Sequence, residues 1–503
     1  MKIESILILM SFFILPLNTD AQDSYQVLFR NSKNESVNSM IQDKNGSIIA
    51  VGKSNVFDSQ RDTYRGKVWK INSAIDTLSM QFTFGDTSSS FNYIEELANG
   101  NYLLGGNIFL PPDYNNGLLI FLEVTKSFEK VKQKTICIEG WTNIYAELTK
   151  KFSENYYLLG SVFIDNYIQS FIIKTNSDLD TLSSRVYTNA TGTTGQFMDC
   201  ILSPDSSQLW TFTDGFTPGG SAADDIFIYD TLLNFVKCKS FPFVLNPVTV
   251  DIDVEYQHNM TVRWLTDSTF LVGCNHLRTY NQQQDLEYDI GFSEMDSALL
   301  LVPITYFGSN DTTDYAPFLH ATFDFRTSDS IVFSGTKRQI SEFWPHKPSW
   351  IKAGMFNRNM QPIYDNYYGG DAYYKALIIK CTSDGGSMIA ANRYDYLTQN
   401  SERDVFFLKL NNVGLITGEA ENEICPFSVF NVYPNPSHSS FKITLIVEKA
   451  GMKLYNLSGT VVLQKQIIEG ENLINSSSLI AGTYICEIIT QKGELFRKKI
   501  VIL

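Results

Sequence analysis

A short apolar strand ending in a small residue returns seven times along this chain, and no other feature limits the fold as much. It runs Gly46-Ser-Ile-Ile-Ala-Val-Gly52, Gly100-Asn-Tyr-Leu-Leu-Gly105, Asn155-Tyr-Tyr-Leu-Leu-Gly160 and Ser207-Gln-Leu-Trp-Thr-Phe212. It continues as Ser268-Thr-Phe-Leu-Val-Gly273, Ser330-Ile-Val-Phe-Ser-Gly335 and Gly386-Ser-Met-Ile-Ala-Ala391. Successive ends lie 53, 55, 52, 61, 62 and 56 residues apart. A second element keeps the same register. Lys70-Ile-Asn-Ser-Ala-Ile-Asp-Thr-Leu78 and Lys174-Thr-Asn-Ser-Asp-Leu-Asp-Thr-Leu182 share Lys, Asn-Ser and Asp-Thr-Leu at equal offsets, and Lys409-Leu-Asn-Asn-Val-Gly414 echoes the first half. Each unit therefore reads as a strand, a turn, the apolar strand, a polar loop, a strand ending in Lys-x-Asn, and a last strand. Four strands in roughly 58 residues is a β-propeller blade, somewhat longer than usual. The recurrent glycine is expected where blades crowd near an axis and only a residue without a side chain admits a close backbone. The competing arrangement is a string of immunoglobulin-like sandwiches of about 100 residues, two units in each. A parallel β-helix needs a much shorter period.

Composition agrees with an all-β chain. Of 503 residues 44% are hydrophobic, and 35 Phe and 26 Tyr favour strands. That much apolar material excludes a disordered or collagen-like chain. The net charge of −14 argues against nucleic acid as a partner.

The two ends read differently from the middle. Residues 1–21 have the form of an export signal: Lys2, the apolar run Ile6 to Leu17, then small residues at Thr19 and Ala21. The run is too short to span a bilayer, and cleavage is expected after Ala21, so the mature chain begins at Gln22. No later stretch approaches 18 uninterrupted apolar residues, so no transmembrane helix is expected in the mature chain. The last 79 residues, 425–503, carry eight Lys/Arg and five Glu with no Asp, a net +3 against an acidic middle. Such a shift marks a domain boundary, with 414–423 as an acidic linker. Within the tail, Val432-Tyr-Pro-Asn-Pro436, Phe441-Lys-Ile-Thr-Leu445, Met452-Lys-Leu-Tyr-Asn-Leu-Ser-Gly-Thr460, Leu479-Ile-Ala-Gly-Thr-Tyr484 and a Lys-rich final strand from Lys498 to Leu503 follow one another. Short strands with turns at this spacing imply a small immunoglobulin-like β-sandwich.

The order Tyr-Pro-Asn-Pro, Leu-Tyr-Asn-Leu-Ser-Gly, Ala-Gly-Thr-Tyr and a Lys-rich end resembles the type A C-terminal sorting domain of the type IX (Por) secretion system of Bacteroidetes. The resemblance covers about 79 of the 503 residues. It implies export to the periplasm, recognition of 425–503 by the type IX machinery, and delivery to the cell surface or medium. It says nothing about what residues 22–424 do.

Few residues in that middle region point to chemistry. The five histidines lack ligand spacing, and no nucleophile elbow, phosphate loop or dinucleotide fingerprint occurs. No Cys-x-x-Cys occurs among the seven cysteines. Asp251, Asp253 and Glu255 alternate along a presumed strand and so share a face, an oxygen-rich set suited to Ca²⁺. Ser203-Pro-Asp205 and Thr382-Ser-Asp384 partly resemble the Asp-box turns of sialidase-type propellers. Aromatics cluster in Phe343–Trp350 and Tyr364–Tyr374; Trp344, Trp350, Tyr367, Tyr368 and Tyr373 would suit stacking on sugar rings or a protein hot spot. The expected whole is an all-β protein: signal peptide 1–21, a seven-bladed propeller over 22–424, and a sorting sandwich over 425–503. Its expected role is a non-enzymatic module that binds an extracellular protein or glycan. A glycan-active hydrolase with channel carboxylates, and a structural part of a surface or motility apparatus, are the alternatives.

Overall fold

The structure is a computed structural model. It describes residues 24–502 except 31–32, 59–60, 112–115, 165–166, 188–195, 217–221, 241–255, 280–285, 297–303, 309–311, 318–320, 341–343, 399–401, 417–429, 434–436, 438, 457–459 and 491–494. Two compact units are present, Met1–Ala420 and Glu421–Leu503. Among the described residues every regular element is a strand, and every pair of neighbouring strands is antiparallel.

Seven sheets make up the described part of the first unit, and six of them are built from consecutive strands. The first contains Glu35–Gln42, Ile48–Asp58, Arg61–Ile71 and Thr77–Phe82. The second contains Ser88–Glu96, Tyr102–Leu110, Asn116–Val124 and Lys130–Ile136. The third contains Thr142–Phe152, Asn155–Ile164, Tyr167–Thr175 and Thr181–Tyr187. The fourth contains Gln196–Leu202, Gln208–Phe216, Ala222–Asp230 and Phe235–Ser240. The fifth contains Tyr256–Trp264, Thr269–Thr279, Leu286–Asp296 and Thr305–Phe307. In the sixth, two short pieces, Asp314–Tyr315 and Phe323–Phe325, share the edge of Ile331–Lys337, followed by Trp350–Phe356 and Pro362–Gly369. The seventh departs from sequence order. Tyr373–Cys381, Ser387–Tyr394 and Asp404–Leu410 are completed by the N-terminal strand Tyr25–Phe29, with Val27 opposite Phe407.

Successive residues of a strand point to opposite faces, and here both faces are covered. In the first sheet Ile49 and Val51 meet Phe91, Tyr102 and Leu104 of the second, while Ile48 and Ala50 turn to Met388 and Phe407 of the seventh. The same relation links second to third, third to fourth, fourth to fifth, fifth to sixth and sixth to seventh. The recurrent apolar strand lies in the middle of each sheet, buried on both sides. That is why it reads as an unbroken apolar run and not as an alternation.

The recurrent glycine admits a close backbone, and at Gly52 and Gly160 that backbone belongs to the first strand of the same sheet, opposite a bulge. The register slips between Val37 and Ser39, between Phe91 and Tyr93, and between Ala146 and Leu148. A Cβ on Gly52, on Gly106 (the neighbour of the repeat's Gly105) or on Gly160 would lie about 2 Å from the carbonyl oxygen of Ser36, Ser90 or Tyr145. The bulged residues are re-aimed outward from their own sheet. Asn38 donates to the Phe91 carbonyl at 2.8 Å, and Asn92 donates to the Ala146 carbonyl, so each reaches the innermost strand of the next sheet.

The Lys-x-Asn element is the turn between the third and fourth strands. Asn72 Oδ1 accepts from the amides of Ala74 and Asp76 at 2.9 and 2.8 Å, and Asn176 Oδ1 accepts from Asp180 at 2.8 Å. Ile75, Phe128 and Leu179 follow in the left-handed region, with φ of 67°, 66° and 64°. For a bulky residue that costs on the order of 1 kcal/mol. Burial offsets it: Phe128 is fully enclosed against Tyr102. Asp205 and Asp384 also sit in turns, accepting from Ser203 and Thr382 hydroxyls and from the amides of Ser207 and Gly386. These bonds hold the exposed Asp205 carboxyl down at about 2.

The second unit is one hydrogen-bonded network of Phe430–Tyr433, Ser440–Asn456, Val461–Asn475, Gly482–Thr490 and Leu495–Ile502. The long strand Ser440–Asn456 pairs with Phe430–Tyr433 through Lys442–Leu445 and with Gly482–Thr490 through Ala450–Asn456. Phe441, Ile443, Met452, Leu454, Ile488 and Ile500 form its core. The Ala481-Gly-Thr-Tyr484 block opens a strand, and the Tyr484 hydroxyl closes the preceding turn on the Ile480 carbonyl at 2.6 Å.

Candidate functional site

A cavity of about 520 Å³ is lined by the innermost strand of every one of the seven sheets. Its wall includes Asn38 and Met40 from the first sheet, Asn92 from the second, Lys150 from the third, Asp199 from the fourth, Arg263 and Trp264 from the fifth, Asp324 from the sixth and Lys380 from the seventh. Five charged residues from five sheets thus border one space. None of them lies near another in sequence, and no motif marks them, so sequence reasoning missed them all.

Four of the five are paired. Lys150 contacts Asp199 and also donates to the Cys200 carbonyl at 3.0 Å. The Asp199 side chain is fully buried and accepts from the Cys200 and Val262 amides, each at 2.7 Å. Arg263 contacts Asp324, donates to the Phe325 carbonyl at 3.2 Å and lies 4.3 Å from the Phe325 ring. Asp324 Oδ2 accepts from the Cys381 amide at 3.0 Å. Each pair therefore stitches neighbouring sheets together: third to fourth to fifth, and fifth to sixth to seventh. Lys380 is different. Its side chain has no ion pair and no hydrogen bond among the described residues. Burial first, then Arg263 and Lys150, push its ammonium down to about 8.

The aromatics expected to bind ligand lie on the sixth and seventh sheets and, for Trp344, in the loop that precedes Trp350–Phe356 of the sixth. Trp344 stands 4.9 Å from Tyr394, under the Arg403 guanidinium at 5.2 Å. Trp350 opens a strand opposite Gly369, and both Trp344 and Trp350 are half-buried. Tyr367 accepts from Lys352 at 3.1 Å and donates to Asp314 at 3.2 Å, while Lys337 and Lys352 each lie 4.5 Å from its ring. Tyr368 donates to the Gly414 carbonyl. Tyr373 is buried at 4% exposure and accepts from the Ile340 amide at 3.2 Å. None of the five lines the cavity. Asp251, Asp253 and Glu255 lie outside the described residues, as does the signal segment 1–21. None of the six described cysteines is in a disulfide. Burial pushes the Cys200 thiol up to about 12, which leaves it unreactive.

Residues 431–503 match the secretion system C-terminal sorting domain. The chain ends in a type IX sorting domain. This sorting domain marks the protein for export to the cell surface or the medium, and no helix among the described residues is long and apolar enough to cross a membrane. No curated protein matches the chain in sequence. The chain resembles the solved structure of PorZ, a bacterial surface component of the type IX secretion system of Porphyromonas gingivalis. There the identity is 10% and the TM-score 0.28, over 93% of this chain and 75% of that one. It also resembles Drosophila Semaphorin 1a, with 6% identity and TM-score 0.44 over 76% of this chain and 87% of that one. A third is an α-L-arabinofuranosidase from Fusarium graminearum, with 11% identity and TM-score 0.42 over 63% and 94%. With TM-scores this low, none of these likenesses carries an argument.

Proposed function

We propose that residues 22–424 form a closed seven-bladed propeller that the sorting domain delivers, and that this propeller is a binding module for an extracellular protein or glycan. The ring reading is supported by the chain of apolar contacts that runs from sheet to sheet and back to the first. It is also supported by the strand Tyr25–Phe29, which joins the two ends of that circuit. Small-angle scattering tests it. The tail-free chain should have a radius of gyration near 21 Å, the value for a compact globule of about 400 residues, whereas a string of sandwiches would be far larger.

The observation that favours binding over hydrolysis is the state of the two cavity carboxylates. A glycosidase needs one carboxyl free to hold a proton and another free to attack or to activate water. Asp199 and Asp324 instead take amide hydrogen bonds and cations that hold neighbouring sheets together. Trp344 and Trp350 are the proposed contact residues for a sugar face or a partner's side chain, and a glycan array with the intact exported chain tests this. Trp344→Ala and Trp350→Ala should each weaken binding by up to about ten-fold, the scale of losing one aromatic contact of about 0.5–1.5 kcal/mol, with little change in melting temperature. A large fall in melting temperature with unaltered binding would assign both residues to packing.

A further inference from the structure

We propose that the cavity bounded by the seven innermost strands is a binding site for a small oxyanion, a carboxylate- or phosphate-bearing molecule of about sugar size, with Lys380 as its direct partner. The proposal deepens the binding reading above by naming the chemistry of a ligand for this space, and it rests on the ring that encloses it. Three cations, Lys150, Arg263 and Lys380, face the cavity against two carboxylates, Asp199 and Asp324. Both carboxylates are held by Lys150 and Arg263 and by amides on either side, and the attraction of Asp199 for Lys380 is outweighed by burial and the two cations. A half-buried ammonium beside two further cations is favoured by an anion that joins it in the cavity. Burial and the two neighbouring cations lower the Lys380 ammonium, and a bound anion would raise it again. The volume of about 520 Å³ lies within the range of small-molecule sites. The wall joins the apolar surfaces of Met40 and Trp264 to polar Asn38, Thr149 and Thr261, which suits a polar ring with one charged substituent.

The test uses the full chain, with isothermal titration of inorganic phosphate and of glucuronate against chloride at equal ionic strength. Lys380→Met should lower affinity for the responding anion at least about ten-fold, while Lys347→Met, an exposed lysine outside the cavity, should leave it unchanged. The anion that responds identifies the headgroup. Equal heats for wild type and Lys380→Met, or no heat beyond chloride with either anion, would overturn the proposal. Should Lys380→Met fail to fold, wild-type protein with ¹³C-methylated lysines decides. A phosphate- or glucuronate-induced shift confined to the Lys380 resonance supports the site, and a shift shared by exposed lysines overturns it. The glycan array reads a different surface. An anion response without an array hit leaves this site standing and removes the aromatic reading, while an array hit without an anion response does the reverse.

Discussion

A chain that begins at residue 30, without Tyr25–Phe29, is expected to melt on the order of 10 °C below one that begins at Gln22 and to aggregate as it does so. All five residues of that strand pair with Val405–Lys409. Removing them takes away buried Tyr25 and the edge contact of Phe29 with Phe407, whose ring centroids are 5.6 Å apart. Loss of one large buried side chain alone costs about 3–5 kcal/mol, and each kcal/mol lowers the melting temperature of a domain this large by roughly 2–4 °C. The second consequence is the exposed edge. Asp404–Leu410 is apolar on both faces and would present unpaired amides and carbonyls to other chains. Circular dichroism melts with light scattering, on the two chains side by side, read both effects. Coincident melts would mean that the seventh sheet stands without its borrowed strand.

Asp199→Ala is expected to destabilise the protein by about 3–5 kcal/mol, because it breaks a buried pair by removing one partner. Two amides, Cys200 and Val262, lose their acceptor, and Lys150 is left beside Arg263 and Lys380 without its counter-charge. Asp199→Asn retains one acceptor oxygen and similar volume, so it should fall between the two. Urea titrations of the three proteins measure the order. If Asp199→Ala costs under about 1 kcal/mol, the carboxylate is not a stitch between sheets. It then becomes available for chemistry, which would reopen the hydrolase alternative.

What could be read from the chain depended on whether the signal was local. The apolar strand of each unit, the Asn-capped turn after the third strand and the blocks of the tail are each set by a few adjacent residues. Ile49 to Val51, Leu103-Leu104 and Asn176 therefore announced themselves. The sorting domain was legible for the same reason: its blocks are short, ordered and contiguous. The close backbone at the repeat glycine was legible, but not that at Gly52 and Gly160 it belongs to the first strand of the same sheet. There the partner is a bulge some 15 residues earlier, and a bulge leaves no composition of its own. The aromatics were legible as a cluster, yet burial separates Tyr373 from the half-exposed Trp344 and Trp350, and burial is not a local property.

The amino-acid sequence by itself determined the strand period, the turn chemistry and the delivery signal in the tail, because each rests on side-chain alternation and backbone preference within a few residues. Only the tertiary structure decided that Tyr25–Phe29 completes the last sheet across some 380 residues. It alone also brought Lys150, Asp199, Arg263, Asp324 and Lys380 to one cavity. Those groups come from five separate units, and only the stacking of one sheet on the next places their charges within reach of each other.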